Sequence, residues 1–258
     1  MITPLDAAAL RAALSATAWR PIVITPRTGS TNADLLAGLR AGTVTTGAVE
    51  VAAEQDSGRG RLDRAWSSPA GRSVALSAVV APARDRAWTV LPLLAGLAVA
   101  EAASAWGAAA TVKWPNDVLI GGLKCCGILV ETALTPAGLR AVVGIGLNVS
   151  QTRDELPTAT ATSLALAGLT VSREQAAAVV LERLERVVRD WRAGADVMGR
   201  YRARSATLGQ TVRLTIAADH VVEGEARAVA ADGRLGVVSA GSLRWFAAGD
   251  VQHLRATP

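Results

Sequence analysis

Lysine is nearly absent from this chain. Of its 27 basic residues only Lys113 and Lys124 are lysine, leaving 25 arginines among 258 residues. That imbalance changes the meaning of a net charge of +5 and a pI near 10.2. A basic surface attracts polyphosphate of any kind, but a chain that uses arginine wherever a solvated cation suffices raises its pI without building a binding face. Where lysine survives against the bias, a compact ammonium is indicated, because lysine and arginine are not interchangeable at a shaped site. Aromatic residues are scarce too, at 3%, and seven of them are tryptophan. The core must therefore be built from Ala, Val and Leu around those tryptophans. Half the residues are apolar, which excludes a disordered chain.

Cysteine is confined to the adjacent pair Cys125 and Cys126. Neighbours in sequence lack metal-site spacing and would strain badly if bridged to each other, so reduced thiols are expected. No run is long enough for a membrane span: Ala87 to Ala100 is interrupted by Pro92, bounded by Arg86 and Glu101, and falls short of the ~20 residues required. It reads as a buried helix. Met1 to Leu10 carries Asp6 and has neither a basic start nor an apolar core, so no signal peptide is expected and a cytosolic location follows. Apart from richness in alanine there is no low-complexity segment, and there is no internal repeat.

Chain length bounds the organisation. Single cores stop growing near ~250 to 300 residues, so one large domain with a small appended one is the expectation. Leu5 to Ser15 reads as a short amphipathic helix, Pro21 to Thr25 as a strand, and Ser30 as the N-cap of a helix from Ala33 to Arg40. Gly47 to Glu54 alternates as a strand ahead of a Gly/Arg-rich loop, Asp56 to Arg64, and Ser73 to Val80 is the next strand. Trp88 to Trp106 is a long apolar helix with Pro92 tolerated near its start. From Thr111 the signals are those of an antiparallel meander: Val112 to Trp114, Val118 to Ile120, a Gly121-Gly122 hairpin, Leu123 to Glu131, a turn at Thr135 to Gly138, and Leu139 to Val149. Ser172-Arg173-Glu174-Gln175 is a capping box opening a helix to about Arg192. Short strands follow from Leu208, at Thr211 to Ile216, Val221 to Ala230, Leu235 to Ser239 and Ser242 to Phe246. Turns at Asp219-His220, Asp232-Gly233 and Ala240-Gly241 punctuate them, and the pattern suggests a small SH3-like barrel. The expected fold is α+β: a central, mostly antiparallel sheet flanked by helices in residues 1–206, then the barrel in 207–258.

Four stretches carry chemistry. In Gly58-Arg59-Gly60-Arg61, with Arg64 three further on, glycines permit close backbone approach and arginine forks grip phosphate or carboxylate. Extended backbone puts Arg59 and Arg61 on one side. Alone, the stretch fits a solvated turn or an RNA contact as well as a phosphate loop. Lys113-Trp114-Pro115-Asn116-Asp117 ends a strand in a rigid turn, with oxygens able to face a magnesium nucleotide. After the Gly-Gly hairpin, period-2 alternation puts Lys124, Cys126, Ile128 and Val130 on one face. In Gly144-Ile145-Gly146-Leu147-Asn148, glycines at i and i+2 suggest a strand approached by a ligand, with Asn148 able to meet a purine edge.

Together with Ser30-Thr31-Asn32, Gln55, Arg64-Ala65-Trp66-Ser67-Ser68-Pro69 and Gly127-Ile128-Leu129-Val130-Glu131, these motifs resemble the biotin protein ligases, in that family's order, from about Pro21 to Leu254. The resemblance implies a class II synthetase or biotin/lipoate ligase-like fold. It implies adenylation of biotin by ATP with Mg²⁺, followed by transfer to a lysine of a biotin carboxyl carrier protein. It places Ser30, Thr31, Asn32 and Gln55 on the ureido ring, and Arg59, Arg61 and Lys124 at the biotin carboxylate. Arg59, Arg61, Arg64, Lys113 and Asn116 would face the nucleotide's phosphates and metal, Trp66 would stack beside the nucleotide, and Asn148 would meet adenine. Lys124, Arg61 and Lys113 are the implied catalytic cations, because carboxylate attack on an α-phosphorus brings anions together. No protein nucleophile is required, so Cys125 and Cys126 are expected to be small buried fillers. Only about 20 residues precede the first strand, too few for a three-helix DNA reader, so a ligase-only form is implied, monomeric or homodimeric, without DNA or membrane partners. A lipoyl or octanoyl ligase is the nearest alternative, although its Gly-Gly-Gly run is absent, and an RNA-binding module is the more distant one. The Mg²⁺ ligands are not assigned by the sequence.

Overall fold

The computed structural model describes residues 4–68, 71–81, 83, 87–217 and 220–254. Met1, Pro69, Arg86 and Asp219, named above, lie outside these. In chain order the elements are α1 (Ala7–Ala13), β1 (Ile22–Thr25), α2 (Thr31–Ala41), β2 (Val49–Ala52), β3 (Gln55–Arg59), β4 (Ala65–Ser68), β5 (Ser73–Val80), α3 (Leu91–Ala105), β6 (Ala110–Lys113), β7 (Asp117–Ile120), β8 (Leu123–Thr135) and β9 (Gly138–Asn148). They continue with α4 (Arg173–Arg192), α5 (Val197–Ala203), β10 (Thr211–Ala217), β11 (His220–Val229), β12 (Leu235–Ser239), β13 (Ser242–Phe246) and β14 (Asp250–His253).

Seven strands form the main sheet in the order β1-β2-β5-β9-β8-β7-β6. The β1–β2 pair is parallel and every other pair antiparallel. Strands β6 to β9 lie side by side in sequence order, as the meander signals predict. Gly121 and Gly122 take φ of 58° and 77°, the left-handed pair that a tight two-residue hairpin requires. Because side chains alternate across a strand, the sheet has two contrasting faces. On one, Val74, Leu76, Ile128, Val143, Ile145 and Leu147 pack into a single core with α3 and α4. On the other, Leu35, Leu36 and Leu39 of α2 cover Val79, Ala133 and Val142. Beyond α2 that second face is left without a helix.

The apolar helix forms where it was expected, between Trp88 and Trp106. Trp88–Ala105 is long and apolar enough to cross a membrane, yet 67% of it is buried inside the molecule. Length therefore does not decide the matter; packing does, since Leu94, Leu97 and Ala98 have no exposed surface at all. Its first turn, Trp88–Val90, is a 3-10 turn, with Pro92 at the start of the α-helix proper. α4 opens with the anticipated Ser172/Gln175 capping box.

The C-terminal strands form a second, antiparallel sheet, β13-β12-β11-β10-β14, consistent with an SH3-like fold. β14, which turn signals did not separate, pairs with β10. Trp114 ties the two sheets together: it is 1% exposed, its Nε1 donates to the Gly233 carbonyl at 2.9 Å, and its backbone N–H donates to Thr207 Oγ1 at 3.0 Å. The expected Gly/Arg loop is instead a hairpin of β3 and β4. Gly58 makes that pairing feasible, since a Cβ there would sit 2.4 Å from the Trp66 carbonyl oxygen.

Candidate active site

The helix-free end of the second sheet face floors a cleft of about 830 Å³, including space open to solvent. Its floor is set by register. Gly127 of β8 lies opposite Gly146 of β9, and Gly144 lies between Leu129 and Ser77 of β5. Each glycine is a close approach. A Cβ on Gly146 would stand 2.3 Å from Trp66 Cε2, one on Gly127 would stand 2.9 Å from Trp66 Cζ3, and one on Gly144 would stand 2.4 Å from Asn32 Oδ1. The indole of Trp66 thus lies against a bare backbone floor, and its buried Nε1 has no hydrogen-bond partner.

One end of the cleft is polar and uncharged. Ser30 caps α2, and helix onset at Thr31 brings three consecutive side chains to the sheet. Ser77 Oγ donates to Asn32 Oδ1 at 2.7 Å, so Thr31 Oγ1, 2.7 Å from Ser77 Oγ, supplies its own proton to that serine. Gln55 Oε1 accepts from the Thr31 backbone at 3.1 Å. Asn32 Nδ2 donates to Glu131 Oε2 at 2.8 Å and to the Leu129 carbonyl at 3.2 Å. Ser30, Thr31 and Asn32 are all buried, so this end is a fixed network of donors and acceptors rather than a solvated loop. Beneath it, Glu50 of β2 accepts from Thr25 Oγ1 at 2.9 Å. Burial pushes the Glu50 carboxyl up to about 7, against the Thr25 hydrogen bond and reinforced by nearby Asp34.

The other end is cationic. Arg61, Arg64 and Lys124 line it, Arg59 stands nearer the polar end by sharing Glu131 Oε2 with Asn32, and each is held. Arg59 pairs with Glu131 at 3.1 Å, Arg61 donates to the Gly249 carbonyl at 3.0 Å, and Arg64 pairs with Asp250 at 2.7 Å. Two of these anchors come from the end of the second sheet. Arg59 and Arg61 do not share a side as extended backbone would give: the chain enters a 3-10 turn at Arg61 directly after Gly60, with Leu62 at φ 55°, and the two guanidinium groups part. Burial draws the Arg61 pKa down from the usual arginine value, opposed by the charges of Asp250 and Asp117.

Lys124 stands over the Trp66 ring at 5.7 Å and pairs with Asp117 at 2.6 Å. The alternation that grouped it with Cys126 and Ile128 fails, because β8 carries a bulge: Val118 pairs with Cys126 but Leu119 with Lys124. The extra residue, Cys125, goes into the core with Cys126, both having no exposed surface. The bulge turns Lys124 toward Gly127 and the cleft, its Cε 3.4 Å from where a Gly127 Cβ would be. Burial holds the Cys125 thiol up at about 12 and raises Cys126 as well, so both are protonated fillers.

Asn116 lines the cleft, and its Nδ2 donates to the Ile128 carbonyl at 2.9 Å. Two expected residues are not brought to it. Lys113 does not line the cleft; it lies near half-buried His253 on β14, whose pKa is lowered first by burial and further by the Lys113 charge. Asn148 is buried at the end of the floor strand, its Nδ2 donating to the Thr162 carbonyl and its Oδ1 accepting from Gln151, both at 2.9 Å. Ser73 Oγ and Gln151 Oε1 in this corner are buried without partners. The sequence marks Asp117 only as a turn oxygen able to face a magnesium nucleotide, and it does not mark Glu131, Gly249 or Asp250 as site residues. For Asp117 and Glu131 the signal was available, since both fall inside the motifs.

Among the described residues no group of three or more His, Cys, Asp or Glu could hold a metal ion. The carboxylates lining the cleft are Asp117 and Asp250. A magnesium ion that travels with a nucleotide is commonly bound by one or two carboxylates plus phosphate oxygens, so this sparse set fits one.

A cleft that combines neutral polar side chains with four cations over a floor of glycine backbone can take a carboxylic acid and a nucleotide together. Residues 24–148 match the biotin/lipoate A/B protein ligase family and residues 207–254 match the biotin protein ligase C-terminal domain. A biotin–[acetyl-CoA-carboxylase] ligase of Mycobacterium tuberculosis is 38% identical over 98% of this chain and 97% of its own length. One from Paracoccus denitrificans is 36% identical over 73% of this chain and 80% of its own. Among solved structures, a biotin protein ligase from Aquifex aeolicus in complex with biotin and ATP superposes with a TM-score of 0.77, at 26% identity, over 92% of this chain and 100% of that one. The chain belongs to the biotin protein ligases.

Proposed function

We propose that this cleft adenylates biotin with ATP and passes the biotinoyl group to a lysine of a carboxylase's carrier domain, in the cytosol and without a DNA-binding role. The observation that carries the reading is the polarity of the cleft. Biotin is a neutral ureido bicycle joined by an apolar chain to a carboxylate. The network of buried Ser30, Thr31 and Asn32 with half-buried Gln55 suits the first, and the cationic end at Lys124 and Arg61 suits the second.

In the first step a biotin carboxylate oxygen attacks the α-phosphorus of ATP and pyrophosphate leaves. Lys124 touches both reacting anions, Arg61 and Arg64 spread the phosphate charge, and Arg59 closes from the Glu131 side. These preorganised cations stabilise charge that grows in the transition state. Mg²⁺ would be held by Asp117 and Asp250 and would neutralise the nucleotide's phosphate oxygens. Trp66 stacks beside the nucleotide from its place on the glycine floor, and Asn148, buried past the end of that floor, meets the adenine side only through the groups packed on it. Lys113 has no part in this reading, because it does not reach the cleft. In the second step an amine attacks the mixed anhydride, which requires positioning and exclusion of water more than further catalytic groups. Residues 1–206 supply this chemistry, and 207–258 hold the arginine hairpin through Gly249 and Asp250.

The test is pyrophosphate release from ATP with biotin or with lipoate as the acid. Biotin supports release and then labelling of a carrier domain, whereas lipoate supports neither. Release with lipoate alone would make this a lipoyl-type ligase.

A further inference from the structure

A second cleft, of about 760 Å³ including space open to solvent, lies between the start of α3, the Pro115–Asn116 turn and residues 247–248 of the second sheet. Its walls are apolar, with Trp88, Pro92, Leu93, Ala247 and Ala248 prominent, and among the described residues Arg61 is the one charged residue lining it. Arg61 and Asn116 line both clefts and stand between them.

The second half-reaction poses a problem of access. The arginine hairpin roofs the first cleft and is tied down at three points, on Glu131, the Gly249 carbonyl and Asp250. With biotin and nucleotide beneath that roof, the mixed anhydride lies beside Lys124 and Arg61, and the amine has to arrive from another side. Resting on the biotin-ligase reading, we infer that the second cleft is the path by which the acceptor lysine reaches the anhydride.

Its chemistry suits that traveller. A lysine presents four methylenes along apolar walls and a nitrogen at the tip, so its stem gains by burial here. At the inner end the tip meets Arg61. Desolvation and a neighbouring cation both disfavour an ammonium, and the cleft therefore favours the neutral amine, the form that can attack. The amine nitrogen bonds to the biotinoyl carbonyl carbon, the bond from that carbon to the phosphate oxygen breaks, AMP leaves with the electron pair, and the amine's proton passes to solvent.

Ala247 and Thr89 are exposed residues on opposite walls, so Ala247→Trp and Thr89→Trp narrow the path without filling a core. Three rates are compared with wild type, with thermal unfolding confirming the fold: pyrophosphate formation from biotin and ATP, transfer to a carrier domain, and discharge of the adenylate by hydroxylamine. Pyrophosphate formation and hydroxylamine discharge are expected to stay within about twofold while transfer falls at least about tenfold, the signature of a blocked second substrate. Transfer at the wild-type rate in both variants overturns the path. So does an equal loss in pyrophosphate formation and transfer, which would mean that the bulky residue distorts the first cleft. Failure of the wild type to form pyrophosphate from biotin would instead refute the ligase reading itself.

Discussion

The same strands serve two masters. On β5 and β9, Val74, Leu76, Val143, Ile145 and Leu147 face the helices, and on the opposite face Ala75, Ser77, Gly144 and Gly146 line the cleft. One face is filled to exclude water, the other emptied so that Trp66 and Asn32 can approach the backbone. The comparison teaches that stability and binding are partitioned by parity along one strand, so neighbouring residues should fail in different ways.

The largest expected effect is on the filled face. Ile145→Ala removes a side chain that is 2% exposed and should cost about 2 to 5 kcal/mol in urea unfolding, with biotin affinity retained by the folded fraction. Its neighbour offers the contrast: Gly146→Ala should leave unfolding nearly unchanged but displace Trp66 and weaken nucleotide binding by calorimetry. If both changes act on stability alone, the partition is broken. Next is Lys124→Arg. This change keeps the charge, yet a planar guanidinium does not fit the point the ammonium occupies, and pyrophosphate release should fall by about a hundred- to a thousandfold, roughly 2.7 to 4 kcal/mol. Normal folding with a wild-type rate would remove Lys124 from the mechanism.

Glu50 blurs the partition, being a carboxyl buried beneath the binding helix. With its folded value raised to about 7 from an ordinary 4.5, the folded protein holds a proton that the unfolded chain has released between those values. Stability contributed by this group is therefore full at low pH and falls as pH rises toward 7, staying low above it. Glu50→Gln should flatten that decline and raise stability at pH 8 by up to about 3 kcal/mol. An unchanged slope in denaturation curves from pH 5 to 8 would show that Glu50 is ionised at little cost. The smallest effect belongs to Asp250→Ala. The Arg64–Asp250 pair is 57% and 46% exposed, so its loss should cost no more than about 1 kcal/mol. Without ligand it should show as faster tryptic cleavage at the hairpin, and with ligand as weaker binding of magnesium-ATP, because Asp250 is one of the two carboxylates proposed to hold the ion.

Much of this was legible in sequence because it is local. Alternation along Ser73 to Val80 and Val142 to Asn148 marks the strands, Gly121-Gly122 the hairpin, and Ser30 and Ser172 the caps. The polar end of the cleft could be read from Ser30-Thr31-Asn32. What escaped depends on contacts distant in sequence or on one-residue slips. The bulge at Cys125 reverses the parity that assigned Lys124 to the Cys126 face. Arg59 finds Glu131 across 72 residues, and Arg61 finds Gly249 across 188. No period or spacing encodes those meetings. Rarity marked both lysines equally, while the long-range packing decides which lines the cleft: Lys124 does, and Lys113 at the end of β6 does not.

The pairing of the cleft's cations has a consequence for turnover. Arg59, Arg64 and Lys124 rest on Glu131, Asp250 and Asp117, and Arg61 on a neutral carbonyl. Nucleotide binding is then an exchange of partners, in which ATP displaces carboxylates that remain tethered nearby at high effective concentration. After phosphoryl chemistry those same carboxylates compete for the arginines against the departing pyrophosphate. The empty site is thus a spring-loaded competitor for its own product, so a cleft with four cations can still let a highly charged anion go.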